Sequence, residues 1–148
     1  IVIMAADPVL LARTPVDLDD LQSEQRFSPA VSYMRSKNMI VMFAYALARR
    51  LGSRGILVNS AHPGVIRTGL ADNTTGLLRV MTKLANPFVP QASVGADTPV
   101  CLATSAIIRS GGDFYKKRKR VSTAKHTTDP ARQEALWAAS AQIAGLTP

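Results

Sequence analysis

The segment 39–51, Met-Ile-Val-Met-Phe-Ala-Tyr-Ala-Leu-Ala-Arg-Arg-Leu, is apolar on nearly every side until its closing arginines. A run of that kind reads as a buried helix rather than a surface one. Arg49 and Arg50 in its last turn, with Gly52 just beyond, are stop signals. After a short polar turn, Gly55-Ile56-Leu57-Val58-Asn59-Ser60-Ala61 reads as a short buried strand, and it runs straight into His62-Pro63-Gly64. A helix feeding a strand that ends on a Pro-Gly turn is half of a βαβ unit. In sheets built from such units, ligands bind just beyond the carboxyl ends of the strands.

At the head of the helical segment, Tyr33 and Lys37 stand four residues apart in Tyr33-Met34-Arg35-Ser36-Lys37. On a helix that spacing places a phenol and an ammonium on one face. A phenol with a reference pKa of about 10 is a poor acid or base at neutral pH. A neighbouring cation favours phenolate and brings the group toward the range that proton transfer needs. The plainer reading is a surface Tyr and Lys on an amphipathic helix.

The remaining elements follow from the same patterns. Strands are expected near 1–4, 56–61 and 113–115, and the main helices over 33–51, 94–107 and 130–144. Pro130 suits the first position of the last helix, with Asp129 as its cap and Leu136, Trp137, Ile143 and Leu146 docking it. The stretch 121–129 is polar and reads as loop. Apolar residues make up 47% of the chain and charged residues 19%, which suits a folded domain rather than disorder.

An ordered series of landmarks then narrows the choice. It runs through Asp19-Asp20-Leu21-Gln22-Ser23-Glu24, Phe27-Ser28-Pro29, Tyr33 with Ser36-Lys37, and Asn59 through Thr68. It continues with Val94-Gly95-Ala96-Asp97-Thr98, Leu102-Ala103-Thr104-Ser105, Gly112-Asp113-Phe114-Tyr115 and Leu136-Trp137. With these in place the chain resembles the short-chain dehydrogenase/reductase superfamily, and within it the retinol dehydrogenase-like branch that includes the WW-domain-containing oxidoreductase. The resemblance implies an α/β fold: the C-terminal half of a doubly wound, Rossmann-type parallel sheet with flanking helices. Residues 1–148 would be a partial domain whose N-terminal dinucleotide-binding half is absent.

The resemblance also implies a chemistry. The activity would be an NAD- or NADP-dependent interconversion of an alcohol and a carbonyl compound, with a small hydrophobic substrate. Tyr33 would pass a proton to or from the substrate oxygen, and Lys37 would hydrogen-bond the nicotinamide ribose and lower the Tyr pKa. Pro63 and Gly64 would shape the turn at the nicotinamide, with Val65, Ile66 and Thr68 holding its carboxamide. The stretch 69–91 would be a variable, apolar loop over the substrate.

Two departures count against activity. Ala5 and Ala6 stand where the family carries a Ser-Ser pair, and the second serine's hydroxyl there hydrogen-bonds the substrate oxygen. The stretch 6–19 is longer than usual and leaves Thr14 open as a substitute hydroxyl. No Gly-x-x-x-Gly-x-Gly turn occurs in the sequence, and Gly111-Gly112 is too short and too late to replace it. The chain therefore reads either as a piece of a longer polypeptide or as a degenerate remnant. Its alternative function is a catalytically inactive interaction module that forms a homodimer through the Tyr-bearing helix.

Other features carry less. Cys101 is the single cysteine, so no disulfide forms within the chain, which suits a reducing, cytoplasmic setting. In its apolar surroundings it reads as a buried small hydrophobe. His62 and His126 are too far apart to suggest a metal site. Of the net charge of +8, much comes from Lys116-Lys117-Arg118-Lys119-Arg120, read as a solvated loop, with an anionic membrane surface or nucleic acid as the other partners such a run can meet. An exposed edge of Ile1, Val2 and Ile3 is an aggregation hazard.

Overall fold

Segments apolar on both faces form parallel sheets, because only helices packed above and below keep both faces dry. The computed structural model, which describes residues 1–64 and 92–147, shows such a sheet. In chain order the elements are β1 (Val2–Met4), α1 (Pro8–Ala12), α2 (Pro29–Gly52), β2 (Asn59–His62), α3 (Ala92–Thr104), β3 (Asp113–Lys116), β4 (Lys119–Val121), α4 (Lys125–Thr128) and α5 (Pro130–Ile143). The strand order is β1-β2-β3-β4. β1 pairs β2 in parallel with Met4 opposite Ala61, and β2 pairs β3 in parallel with His62 opposite Lys116. β4 returns antiparallel on β3.

Successive strand residues face opposite sides, and β3 shows what each side packs against. Phe114 joins Ala5, Leu11 and Val41 in a cluster on the α2 side. Tyr115 joins Ala61 and Leu102 in another on the α3 side. Helices on both faces of a mostly parallel sheet are the doubly wound α/β arrangement the sequence implied. A third cluster of Val16, Met42 and Leu136 fastens α5 to α2. There Phe43 stacks on Trp137 at 4.9 Å, and the Arg50 guanidinium lies 4.0 Å from the Trp137 ring. Glu134 bridges Arg49 and Arg50 at 2.8 and 2.5 Å, which holds its carboxyl down to about 2.

Several expected boundaries move. α2 begins at Pro29, four residues before Tyr33, because Ser28 is extended and Pro29 opens the first turn. β2 begins at Asn59 rather than at Ile56. The three residues before it precede the ladder, although the Leu57 carbonyl accepts the Ile1 amino group at 2.6 Å. α1 and α4 were not expected; α4 is a single turn inside the polar 121–129 stretch. At α5 the Asp129 cap is present, its carboxylate accepting from Ala131 N at 2.9 Å. Of the four docking residues only Leu136 and Trp137 dock. Ile143 and Leu146 are exposed, so the helix outruns the surface it packs on. Cys101 is partly buried rather than fully so.

The basic run is not a loop. Lys116 pairs with Lys119 across a two-residue hairpin whose turn residues Lys117 and Arg118 have φ of 51° and 59°. That is the left-handed sense required of a type I′ hairpin turn, which ordinarily selects Asn and Gly. Acids from elsewhere in the chain hold the alternate cations: Asp7 pairs with Lys116, Asp97 with Arg118 and Asp113 with Arg120. The Arg118 amide also donates to Thr98 Oγ1 at 3.2 Å.

Buried Asn38, in the middle of α2, ties three elements together. Its Nδ2 donates to the Leu11 carbonyl at 3.2 Å and the Thr14 carbonyl at 3.0 Å, and lies 3.3 Å from His126 Nε2. Its Oδ1 accepts from the buried Thr127 hydroxyl at 2.9 Å. Asn38→Leu keeps the volume but leaves the buried Thr127 hydroxyl and the Thr14 carbonyl unpaired, while the Leu11 carbonyl keeps Thr14 N, so it is expected to cost about 2–4 kcal/mol by urea unfolding. A loss under about 0.5 kcal/mol, the usual size at a neutral surface site, would mean that water replaces the amide.

Lys117→Asn is expected to act in the opposite direction. Asn tolerates the left-handed region, so the variant should gain about 0.5–1 kcal/mol by the same measurement. Any loss of stability would show that the Lys117 side chain makes a contact worth more than the strain.

Candidate active site

Tyr33 and Lys37 lie on consecutive turns of α2, and the Lys37 Nζ stands 5.6 Å from the Tyr33 ring centroid. Tyr33 is 43% exposed, so a ligand can reach it. The Ser36 hydroxyl is turned back onto the Tyr33 carbonyl at 2.7 Å. Between them Met34 faces inward and packs, with Ala6, against the cluster containing Ala5 and Phe114. The first turns of α2 therefore lie beside the carboxyl end of β1.

The carboxyl end of β2 lies next to that of β1. Ala5 N extends their register by donating to the Ala61 carbonyl at 2.9 Å, and His62 then leads into Pro63 and Gly64. Gly64 has φ of +88°, which a side chain would strain, and a Cβ there would meet no described atom. The turn is thus left-handed, and on its Cβ side it meets none of the described residues. Val65, Ile66, Thr68 and the 69–91 stretch lie outside the described residues.

Ala5 is buried, and neither it nor Ala6 offers a hydroxyl at this end of β1. Thr14 does not substitute. Its hydroxyl donates to the Leu10 carbonyl at 2.9 Å, and its own carbonyl is held by Asn38.

What sequence reasoning missed is a charged cluster at the ends of the three parallel strands. Asp7 follows β1, His62 closes β2 and Lys116 closes β3. The Asp7 Oδ2 meets the Lys116 ammonium and stands 3.5 Å from His62 Nε2, while its Oδ1 accepts from Val9 N at 2.9 Å. The Lys116 hydrogen bond is the main cause that holds the Asp7 carboxyl below its usual range. Burial is the main cause that lowers His62; Asp7 opposes this and Lys116 adds to it. Asp7 before Pro8 is a legible helix cap, but its pairing with a lysine more than a hundred residues away is not.

A cavity of about 850 Å³ lies elsewhere, at the amino ends of β2 and β3, lined by Tyr45, Leu57, Gly111, Asp113, Arg120 and Gln133. Its polar groups bond one another. Asp113 holds Ser110 and Arg120, Gln133 holds Arg49 and the Thr127 carbonyl, and Tyr45 meets Thr123. Among the described residues no three His, Cys, Asp or Glu side chains gather as metal ligands, and no helix is long and apolar enough to cross a membrane.

No family model matches the chain. Individual proteins do. Human retinol dehydrogenase 12 is 32% identical over 132 residues, covering 88% of this chain and 42% of that protein. Human polyprenol dehydrogenase is 28% identical over 135 residues, covering 88% of this chain and 41% of its own length. A crystal structure of an uncharacterized protein from Mycobacterium paratuberculosis superposes with a TM-score of 0.72 at 24% identity, over 99% of this chain and 50% of the other. That likeness speaks to the fold, and with the sheet order it makes the chain part of a Rossmann-type α/β domain. The chain spans less than half the length of the relatives it matches, and over most of its own length it is related to the retinol dehydrogenases of the short-chain dehydrogenase/reductase superfamily.

Proposed function

We propose that this chain carries the proton-transfer side of an NAD- or NADP-dependent oxidoreductase that interconverts an alcohol and a carbonyl compound. The observation that carries the reading is the Tyr33–Lys37 pair, reachable and side by side at the carboxyl end of a parallel sheet. Its relatives are named for retinol and polyprenol, which are hydrophobic alcohols, and the substrate class follows them.

A nicotinamide bound here would supply or accept the hydride. Tyr33 would give or take the proton at the substrate oxygen through its phenolic oxygen, and Lys37 would hydrogen-bond the ribose. The open Pro63–Gly64 turn fits a flat ring laid against backbone, with Val65, Ile66 and Thr68 completing its hold. The pyrophosphate has no Gly-rich turn to receive it within these 148 residues.

Developing charge on the substrate oxygen would lack one donor. Ala5 and Ala6 contribute none, and a missing donor of this kind typically costs about 10²–10³ in rate. A slow enzyme is therefore expected. A second reading rests on the same alanines and on the exposure of Tyr33 on the outward side of α2. In it the helix face is a homodimer contact and the phenol is vestigial.

The natural polypeptide, assayed with either dinucleotide and a long-chain primary alcohol, separates these readings. Tyr33→Phe is expected to lower turnover by about 10²–10⁴, the usual worth of a positioned acid or base. Ala6→Ser is expected to raise it by about 10². Turnover indifferent to Tyr33→Phe, together with a dimer lost on Tyr33→Lys, would favour the second reading.

A further inference from the structure

The strand-end cluster has a feature that ion pairing alone does not explain. His62 is nine-tenths buried, and its Nδ1 has no hydrogen-bond partner among the described residues. The Asp7 carboxylate stands 3.5 Å from Nε2, an ion pair when the ring is protonated. Asp7 is itself held from two sides: its Oδ1 caps α1 and its Oδ2 receives the Lys116 ammonium. The backbones of His62 and Lys116 are also register partners in the β2–β3 ladder.

The next two residues after His62 are Pro63 and Gly64. Proline restricts the residue before it to extended backbone, and Gly64 sits at +88°. The direction in which the chain leaves β2 is thus set at His62, whose backbone the ladder fixes and whose ring faces the carboxylate.

We propose that Asp7, held by Lys116, positions the Pro63–Gly64 turn through the His62 ring. Asp7 and Lys116 are positioning residues; neither touches the reacting atoms. The role assigned to the turn rests on the reading that it receives the nicotinamide. The clamp itself does not depend on that reading.

Two variants separate the clamp from the helix cap. Asp7→Asn keeps an acceptor for Val9 N but loses the charge, and Lys116→Met removes the ammonium without touching the cap. In the natural polypeptide, the Gly64 amide order parameter is expected to fall from the rigid range, about 0.85, to below about 0.6 in both, with Val41 and Met42 unchanged. In Lys116→Met the His62 titration midpoint is expected to rise. Among the described residues the charged groups acting on His62 are Asp7 and Lys116, and the variant leaves it with the carboxylate alone. Dinucleotide dissociation constants should increase about tenfold, the worth of a charge-assisted hydrogen bond, while kcat at saturation stays within about twofold.

A Gly64 order parameter and His62 midpoint unmoved in Lys116→Met would overturn the clamp even if the protein is an active dehydrogenase. The same two signals moving in a protein that binds no dinucleotide would uphold the clamp and overturn the nicotinamide reading. Variants whose turn loosens while dinucleotide affinity stays at the wild-type value would overturn the role assigned to the turn.

Discussion

The carboxamide of Asn38 is the constraint on which the placement of the candidate site depends. It lies one residue beyond Lys37 on the inward side of α2, fully buried, and it joins the end of α1, the turn after it and α4. These are the places where backbone groups are hardest to satisfy: the carbonyls past a five-residue helix and a one-turn helix with no side-chain cap of its own. A leucine would fill the same space, but it would leave the Thr14 carbonyl and the buried Thr127 hydroxyl without this partner. Because Asn38 faces inward, Lys37 beside it and Tyr33 a turn earlier are fixed in rotation about the helix axis. The phenol and ammonium face outward as a geometric consequence of what the amide holds.

Charge plays a comparable part at the top of the sheet. Three acids from three separate places take alternate cations of the basic run, and the hairpin forms although its turn residues are poorly suited to a left-handed backbone. Single exposed ion pairs contribute little, typically about 0–1 kcal/mol. Asp113 and Asp7 are more enclosed than that, and both belong to the ends of the sheet. The hairpin is therefore anchored at both ends of β3: at Asp113 by Arg120 and at Lys116 by Asp7. Charge that resembles a solvated patch in one dimension becomes, once folded, a set of ties between elements.

This contrast shows what the sequence could and could not disclose. The buried helix, the strand that follows it, the Pro-Gly turn and the Asp129 cap were legible because each depends on neighbours within a few positions. The Tyr33–Lys37 pair was legible for the same reason, since a helix brings positions four apart together. The Asp7–Lys116 pair, the Asp97–Arg118 pair and the partners of Asn38 depend on residues far away in the chain, and no local periodicity encodes them. β4 was missed because five consecutive cations with no Asn-Gly turn carry neither strand alternation nor hairpin chemistry. α1 was missed because five residues are too few to show a period, although Asp7-Pro8 marks its start.

The same distinction separates the parts of the site that are independent from those that are not. Tyr33 and Lys37 are placed by α2, whose own packing rests on Asn38 and on the clusters around Val41 and Met42. The Pro63–Gly64 turn is placed by β2 and by the charges at the strand ends. Ala5 and Ala6 belong to neither group: they are small residues packed under the first turns of α2, where a hydroxyl would have to reach out of an apolar contact toward the phenol. The polar ties that set α2 in rotation, those of Asn38, run to α1, the turn after it and α4, not to these alanines. Tyr33 and Lys37 are therefore held side by side whether or not a hydroxyl stands at position 5 or 6.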